Sequence, residues 1–75
     1  MKLGTVTGQV QLKKTAQPLE NARILMVEIE GNDFAALDQA GAKPGDRVLL
    51  AMSHAAGRYS AETPSDAVVV AVVQD

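Results

Sequence analysis

The segment that most constrains this chain runs from Ala67 to Val73, where seven consecutive residues are apolar and five of them are valines. Valine is branched at Cβ and favours strands, and seven residues are too few for an ordinary helix. Side chains alternate along a strand, which predicts Val68, Val70 and Val72 on one face and Ala67, Val69, Ala71 and Val73 on the other. Both faces are apolar, so both need to be covered.

The two faces of this strand are expected to have different partners. A domain of about 75 residues buries only roughly 60% of the surface that its unfolded chain exposes. One face therefore fills the chain's own core, and the other meets a second subunit. We expect the bulkier set, Val68, Val70 and Val72, to point inward, while Ala67 and Ala71 allow a neighbouring backbone to approach. The sequence thus predicts a self-assembling protein.

Length and composition predict one globular domain, residues 1–75, because 47% of the residues are hydrophobic and 21% are charged. The net charge of −2 and the two aromatic residues, Phe34 and Tyr59, argue against nucleic-acid binding. The chain has no cysteine, which excludes disulfides and thiolate metal sites. No signal-peptide pattern or membrane-spanning run is present, and we expect a cytoplasmic protein without membrane contact.

Four further segments have the pattern of short strands: Lys2–Lys13, Arg23–Glu30, Phe34–Asp38 and Arg47–Met52. Phe34–Asp38 is equally compatible with a helical turn, although we favour a strand. In the first strand, Val6, Gly8, Val10 and Leu12 are expected on one face, and Gly8 suggests a bend or a close backbone approach.

Turn chemistry separates these strands. Gly31–Asp33 is expected to close a hairpin, and Lys43–Asp46 to form a type II turn with Pro44 and Gly45 at its centre. Ser53–Ser60 is predicted to form one helical turn. Five short strands and one helical turn predict an all-β fold, a small five-stranded barrel of OB-like size.

No catalytic constellation is visible in the sequence. His54 is the single histidine and has no second ligand at metal spacing. Glu28 and Glu30 share a strand face and could do acid–base work, but a solvated strand edge is the better interpretation. We therefore expect a protein that is not an enzyme and holds no metal or cofactor.

Three segments together resemble the bacterial microcompartment vertex proteins, the EutN/CcmL family. The opening MKLGTVTGQV resembles the first strand of that family, and NARILMVE at 21–28 resembles its second. The block from Gly41 to Asp75 supplies a turn before a VLL strand, a Ser-x-Ala-Ala segment and the closing PSDAVVVAVVQD. The chain departs from the family at two positions. Arg47 stands where the family often has an aromatic residue. Gly57 separates Arg58 from the Ser-x-Ala-Ala segment, which in the family is often followed directly by Arg.

The resemblance implies a cyclic pentamer that occupies the vertices of a carboxysome or metabolosome shell. Its implied partners are further copies of itself and the hexagonal shell proteins. The subunit interface is expected to include Ser53, His54, Arg58, Ala67, Val69, Ala71 and Val73. Two alternatives stay open at this point: an OB-type module that binds nucleic acid or a small ligand, and a barrel subunit of an enzyme complex.

Overall fold

The computed structural model describes residues 1–15, 22–52 and 66–74, and these form a closed five-stranded β-barrel. The strands are β1 (Lys2–Val10), β2 (Ile24–Ile29), β3 (Asn32–Asp38), β4 (Arg47–Met52) and β5 (Ala67–Val72). The predicted all-β barrel is confirmed, with β3 a strand rather than a helical turn. The described residues contain no helix, and the helical turn expected at Ser53–Ser60 lies outside them.

The strand order around the barrel is β1-β2-β3-β5-β4, so β5 lies between β3 and β4. Four of the five pairings are antiparallel, and they include the β2–β3 hairpin. The pairing of β3 with β5 is parallel and short, joining Leu37 to Val68 and Asp38 to Val69. Closure of the barrel at this short pairing therefore needs support from elsewhere in the chain.

Two turns show where glycine is required. The β2–β3 hairpin turns at Glu30–Gly31, whose φ values are 52° and 82°, one residue before the predicted turn. Positive φ at both central residues is typical of a type I′ turn, which matches the twist of a hairpin. The expected turn at Pro44–Gly45 is confirmed, because Gly45 has a φ of 95° and the Asp46 amide donates to the Lys43 carbonyl oxygen at 3.0 Å.

The barrel interior is filled by one cluster of buried aliphatic side chains contributed by all five strands. Its members are Val6, Leu25, Val27, Ile29, Ala36, Ala42, Val48, Leu50, Ala67 and Val69. Among the described residues, no aromatic ring takes part, and the core is packed by valine, leucine, isoleucine and alanine. This cluster identifies the inward face of each strand.

The expectation that Val68 and Val70 point inward is wrong, whereas Val72 pairs with the interior residue Val48 and so lies on the inward face. Val69 lies in the interior cluster, whereas Val68 and Val70 pack in a second cluster with Leu37. The β4–β5 register shifts between Leu49 and Leu50, since Leu50 pairs with Val69 but Leu49 pairs with Ala71. Val70 is thus the extra residue of a β-bulge, which breaks the alternation that a regular strand would keep.

A second bulge affects the first strand. The β1–β2 register shifts between Val6 and Gly8, so Val6 and Gly8 do not share one face as the alternating pattern predicts. The close backbone approach expected at Gly8 occurs instead at Gly4. A Cβ atom added at Gly4 would lie 2.6 Å from Val27 Cγ1 and 2.9 Å from the Glu28 carbonyl oxygen, whereas one at Gly8 would meet nothing within 4 Å.

We expect Gly4→Ala to lower the free energy of unfolding by about 1–3 kcal/mol, because the added methyl group overpacks the core and meets a backbone atom that no rotamer change can move. Gly8→Ala is the matched control, expected to be neutral or stabilising by up to about 1 kcal/mol. Urea denaturation of both variants measures the difference. Equal stability of the two variants would contradict the packing described at Gly4.

Candidate functional site

The outer surface of β1, β4 and β5 carries an apolar row, the outer apolar strip, formed by Leu3, Leu49 and Ala71. Leu3 pairs with Leu49 across β1–β4, and Leu49 pairs with Ala71 across β4–β5. Residues that pair directly across antiparallel strands point to the same face. The three side chains therefore form one continuous row across three strands.

The outward direction of this strip follows from burial of its neighbours. Val48 and Leu50, on either side of Leu49, are both fully buried in the barrel interior. Leu49 must then point outward, and it is only half-buried. Leu3 is 51% exposed, which makes it one of the most exposed large aliphatic side chains among the described residues.

A covered apolar cluster also lies outside the barrel interior. Leu37 and Val68 are buried there, and Ala22, Ile24 and Val70 pack against them half-buried. Val70 is also the bulge residue next to Ala71 in the strip. The outer side of β5 is consequently apolar along its length, as the sequence predicted for one face of this strand.

The turn Lys43–Asp46, here called the rim turn, is held firmly to the barrel. The Gly45 amide donates to the Val6 carbonyl oxygen at 2.7 Å, and the Val6 amide donates to the Asp46 carbonyl oxygen at 2.9 Å. Within the turn, the Lys43 amide donates to Asp46 Oδ2 at 2.9 Å. Lys43, Pro44 and Gly45 are nevertheless exposed, so the turn presents a fixed surface.

A buried carboxylate fixes the segment that leads into the rim turn. The Asp38 side chain is 1% exposed and accepts hydrogen bonds from the backbone amides of Ala40, Gly41 and Ala42 at 2.9, 3.1 and 3.2 Å. Arg23 Nε lies 3.1 Å from Asp38 Oδ2. Every buried oxygen of this carboxylate thus has a partner, as a buried charge requires.

Arg23 also bonds to the backbone of Ala42 and of Asp38. Its Nη2 donates to the Ala42 carbonyl oxygen at 2.6 Å, and its own carbonyl oxygen accepts from the Asp38 amide at 2.8 Å. Ala42 is fully buried in the barrel interior. We call this ion pair and its hydrogen bonds the Arg23–Asp38 clasp. It fixes the end of β3 and places the following segment in the core, beside the short parallel pairing with β5.

The structure separates the residues expected at the subunit interface. Ala67 and Val69 are 1% and 0% exposed within a single subunit, so they have almost no surface to lose on assembly, and their place in the interface stays a prediction. Ala67 and Val69 face inward, whereas the Val70 bulge turns Ala71 outward. Val73 is half-buried, and its amide donates to the Arg47 carbonyl oxygen at 2.7 Å.

Three of the expected interface residues, Ser53, His54 and Arg58, lie outside the described residues. Leu3 and Leu49 were not predicted as surface contacts. The signal available for Leu49 was its place in the run VLLA at 48–51, which is apolar on both faces in the same way as β5.

Within residues 1–15, 22–52 and 66–74, no three His, Cys, Asp or Glu side chains are grouped so as to hold a metal ion. Glu28 and Glu30 are both exposed at the surface. In the same residues, no helix has the length and hydropathy needed to cross a membrane.

Comparison with known proteins matches residues 1–74 to the family described as ethanolamine utilisation protein EutN/carboxysome. The bacterial microcompartment shell vertex protein EutN of Salmonella typhimurium is 33% identical over 84 aligned positions, which cover 100% of this chain and 85% of the relative.

Solved structures agree with this match. The ethanolamine utilisation protein EutN of Escherichia coli is 32% identical, with a TM-score of 0.85 over 97% of this chain and 85% of that one. The pentameric microcompartment shell protein GrpN of Rhodospirillum rubrum is 27% identical, also with a TM-score of 0.85, over 100% of this chain and 95% of that one.

We expect Asp38→Ala to lower the free energy of unfolding by roughly 2–4 kcal/mol, because it leaves the Ala42 amide and the Arg23 side chain without their partner. Asp33→Ala, in the same strand but exposed, is the matched control and should change stability by less than about 0.5 kcal/mol. Thermal and urea denaturation measure both. Similar losses in the two variants would show that the clasp is not a stabilising element.

Proposed function

Because the chain belongs to the EutN/CcmL family, we propose that it is a structural shell protein whose pentamers cap the vertices of a bacterial microcompartment. The observation that carries this proposal is the closed barrel itself. It superimposes on a pentameric microcompartment shell protein with a TM-score of 0.85, over all of this chain and 95% of the other. The proposal covers residues 1–75 as one vertex domain.

A vertex role follows from geometry as well as from family. Flat sheets of hexagonally packed tiles cannot close around a volume, and pentagonal units supply the missing curvature. A cyclic pentamer of a small barrel provides such a unit, because the same heterologous contact repeats around the axis until the ring closes. The protein would then be a minor component of a shell in the cytoplasm, made mostly of other proteins.

The contact with hexagonal shell proteins is best made by polar segments at the rim of the pentamer. The rim turn is suited to this role because Lys43 and Pro44 are exposed while the turn backbone is bonded to β1. A rigid exposed segment loses little conformational entropy when it binds. Two further polar loops, Lys13–Asn21 and Ala61–Ser65, are proposed to contribute to this contact, and they lie largely outside the described residues.

The protein is proposed to do no catalysis, to need no cofactor and to bind no nucleic acid. Supporting this are the net charge of −2 and the absence of a metal-ligating group among the described residues. The relatives are named as shell proteins. An OB-type binding module would instead need clustered basic residues or exposed aromatic rings, and Phe34 is the single aromatic side chain that the described surface offers.

Deleting the gene should leave open-ended or elongated shells that leak small intermediates, because the vertices are no longer closed. The enclosed enzymes should keep their activity when assayed after release. Electron microscopy of the deletion strain, with a strain complemented by the wild-type gene as control, measures shell closure. Normal closed shells in a deletion strain that has no second vertex protein would refute the capping role.

A further inference from the structure

We propose that the outer apolar strip, Leu3, Leu49 and Ala71, is the face on which the neighbouring subunit of the ring packs. This inference rests on the proposed pentamer and adds the location of its contact. The occupant is a second copy of this chain. The strip lies on β1, β4 and β5.

Among the described residues, the strip takes no part in packing the barrel interior. The barrel interior is already filled by its own cluster, which contains none of the three strip residues. Leu3 remains 51% exposed in the isolated subunit, and Leu49 and Ala71 are half-buried. Exposed apolar side chains that are contiguous rather than scattered singly are candidates for a contact site.

The way in which a neighbour can bind the strip is restricted by the pairing of β4. At Leu49 this strand is paired on both sides, with Leu3 of β1 and with Ala71 of β5, whereas strand addition requires an open edge with unpaired backbone groups. A neighbour that contacts the centre of the strip therefore packs side chains onto its face. The small side chain of Ala71 lets a neighbouring element approach the β5 backbone.

The Val70 bulge is what makes the strip possible. Without the extra residue, Ala71 would point inward as Val69 does, and Val70 and Val72 would point outward. With the bulge, the first half of β5 packs the core through Ala67 and Val69, while the second half turns Ala71 outward beside Leu49. One strand thereby serves both the core and the subunit contact.

A second copy fits this surface better than a foreign partner does. A homologue that this chain matches over its whole length is a pentameric protein, so self-contact is a property of this barrel shape. In a cyclic ring the contact is heterologous, and each strip meets a different surface of the next subunit. Every strip in a closed ring is then covered.

The chain offers a matched pair of leucines for the test, since Leu3 and Leu12 are 51% and 43% exposed but only Leu3 lies in the strip. Leu3→Glu should weaken assembly by about tenfold or more, because it places an unpaired charge in an apolar contact. Leu12→Glu should assemble as the wild type does. Native mass spectrometry measures the fraction at five times the 7.9 kDa chain mass, and circular dichroism checks that both variants are folded.

Thiol labelling gives a second measurement that does not require the ring to break. The chain has no cysteine, so Leu3→Cys and Leu12→Cys each carry one thiol. Their similar exposure in the isolated subunit predicts similar maleimide rates if the strip is free. In the assembled ring, Leu3→Cys should react about tenfold or more slowly than Leu12→Cys, because a covered thiol is inaccessible to the reagent.

The outcomes separate this inference from the proposed function. Equal labelling of the two thiols in a protein of fivefold mass would show that the strip is not the subunit contact, while the proposed pentamer would be upheld. The strip would then be accessible to a different shell component. Equal loss of assembly in Leu3→Glu and Leu12→Glu would also overturn it. A wild-type protein that is monomeric at micromolar concentration would refute the proposed pentamer itself.

Discussion

The architecture of this subunit depends on one strand, β5, meeting apolar surroundings on both of its faces. Val69 is fully buried in the barrel interior, and Val68 is fully buried in a cluster outside that interior. A chain of 75 residues cannot cover every apolar side chain by itself. The Val70 bulge divides the strand between the two tasks, and the remaining apolar surface is directed outward together with Leu49 and Leu3.

Closure of the barrel depends on a different interaction, the Arg23–Asp38 clasp. The parallel pairing that joins β3 to β5 spans two residue pairs, fewer than any other pairing in the sheet. The clasp lies directly at this point and binds the strand end, the following segment and the N-terminal side of β2 to one carboxylate. A buried, fully partnered charge specifies one arrangement of these segments, because any displacement would leave it without partners.

Much of the fold could be predicted from residue patterns, and the failures have one physical origin. The bounds of β4 were predicted as observed, and Pro44–Gly45 specified its turn, because local chemistry determines both. Bulges depend on pairing between distant strands, which no local pattern contains, so the faces of Val69 and Val70 were assigned incorrectly. The Arg23–Asp38 contact and the parallel β3–β5 pairing are likewise long-range, and the local pattern around Asp38 indicates only the end of a strand.

Strand alternation alone and the observed strand pairing place different residues of β5 in the barrel interior. This difference determines which residues a neighbouring subunit can contact. Rings of five copies of this barrel are proposed to occupy shell vertices. Electron cryomicroscopy of purified shells, with averaging centred on the vertices, tests this claim most directly. We expect a fivefold ring of this protein at each vertex, with the outer apolar strip at the boundary between subunits. Vertices that lack the protein, or copies located within the flat facets, would contradict it.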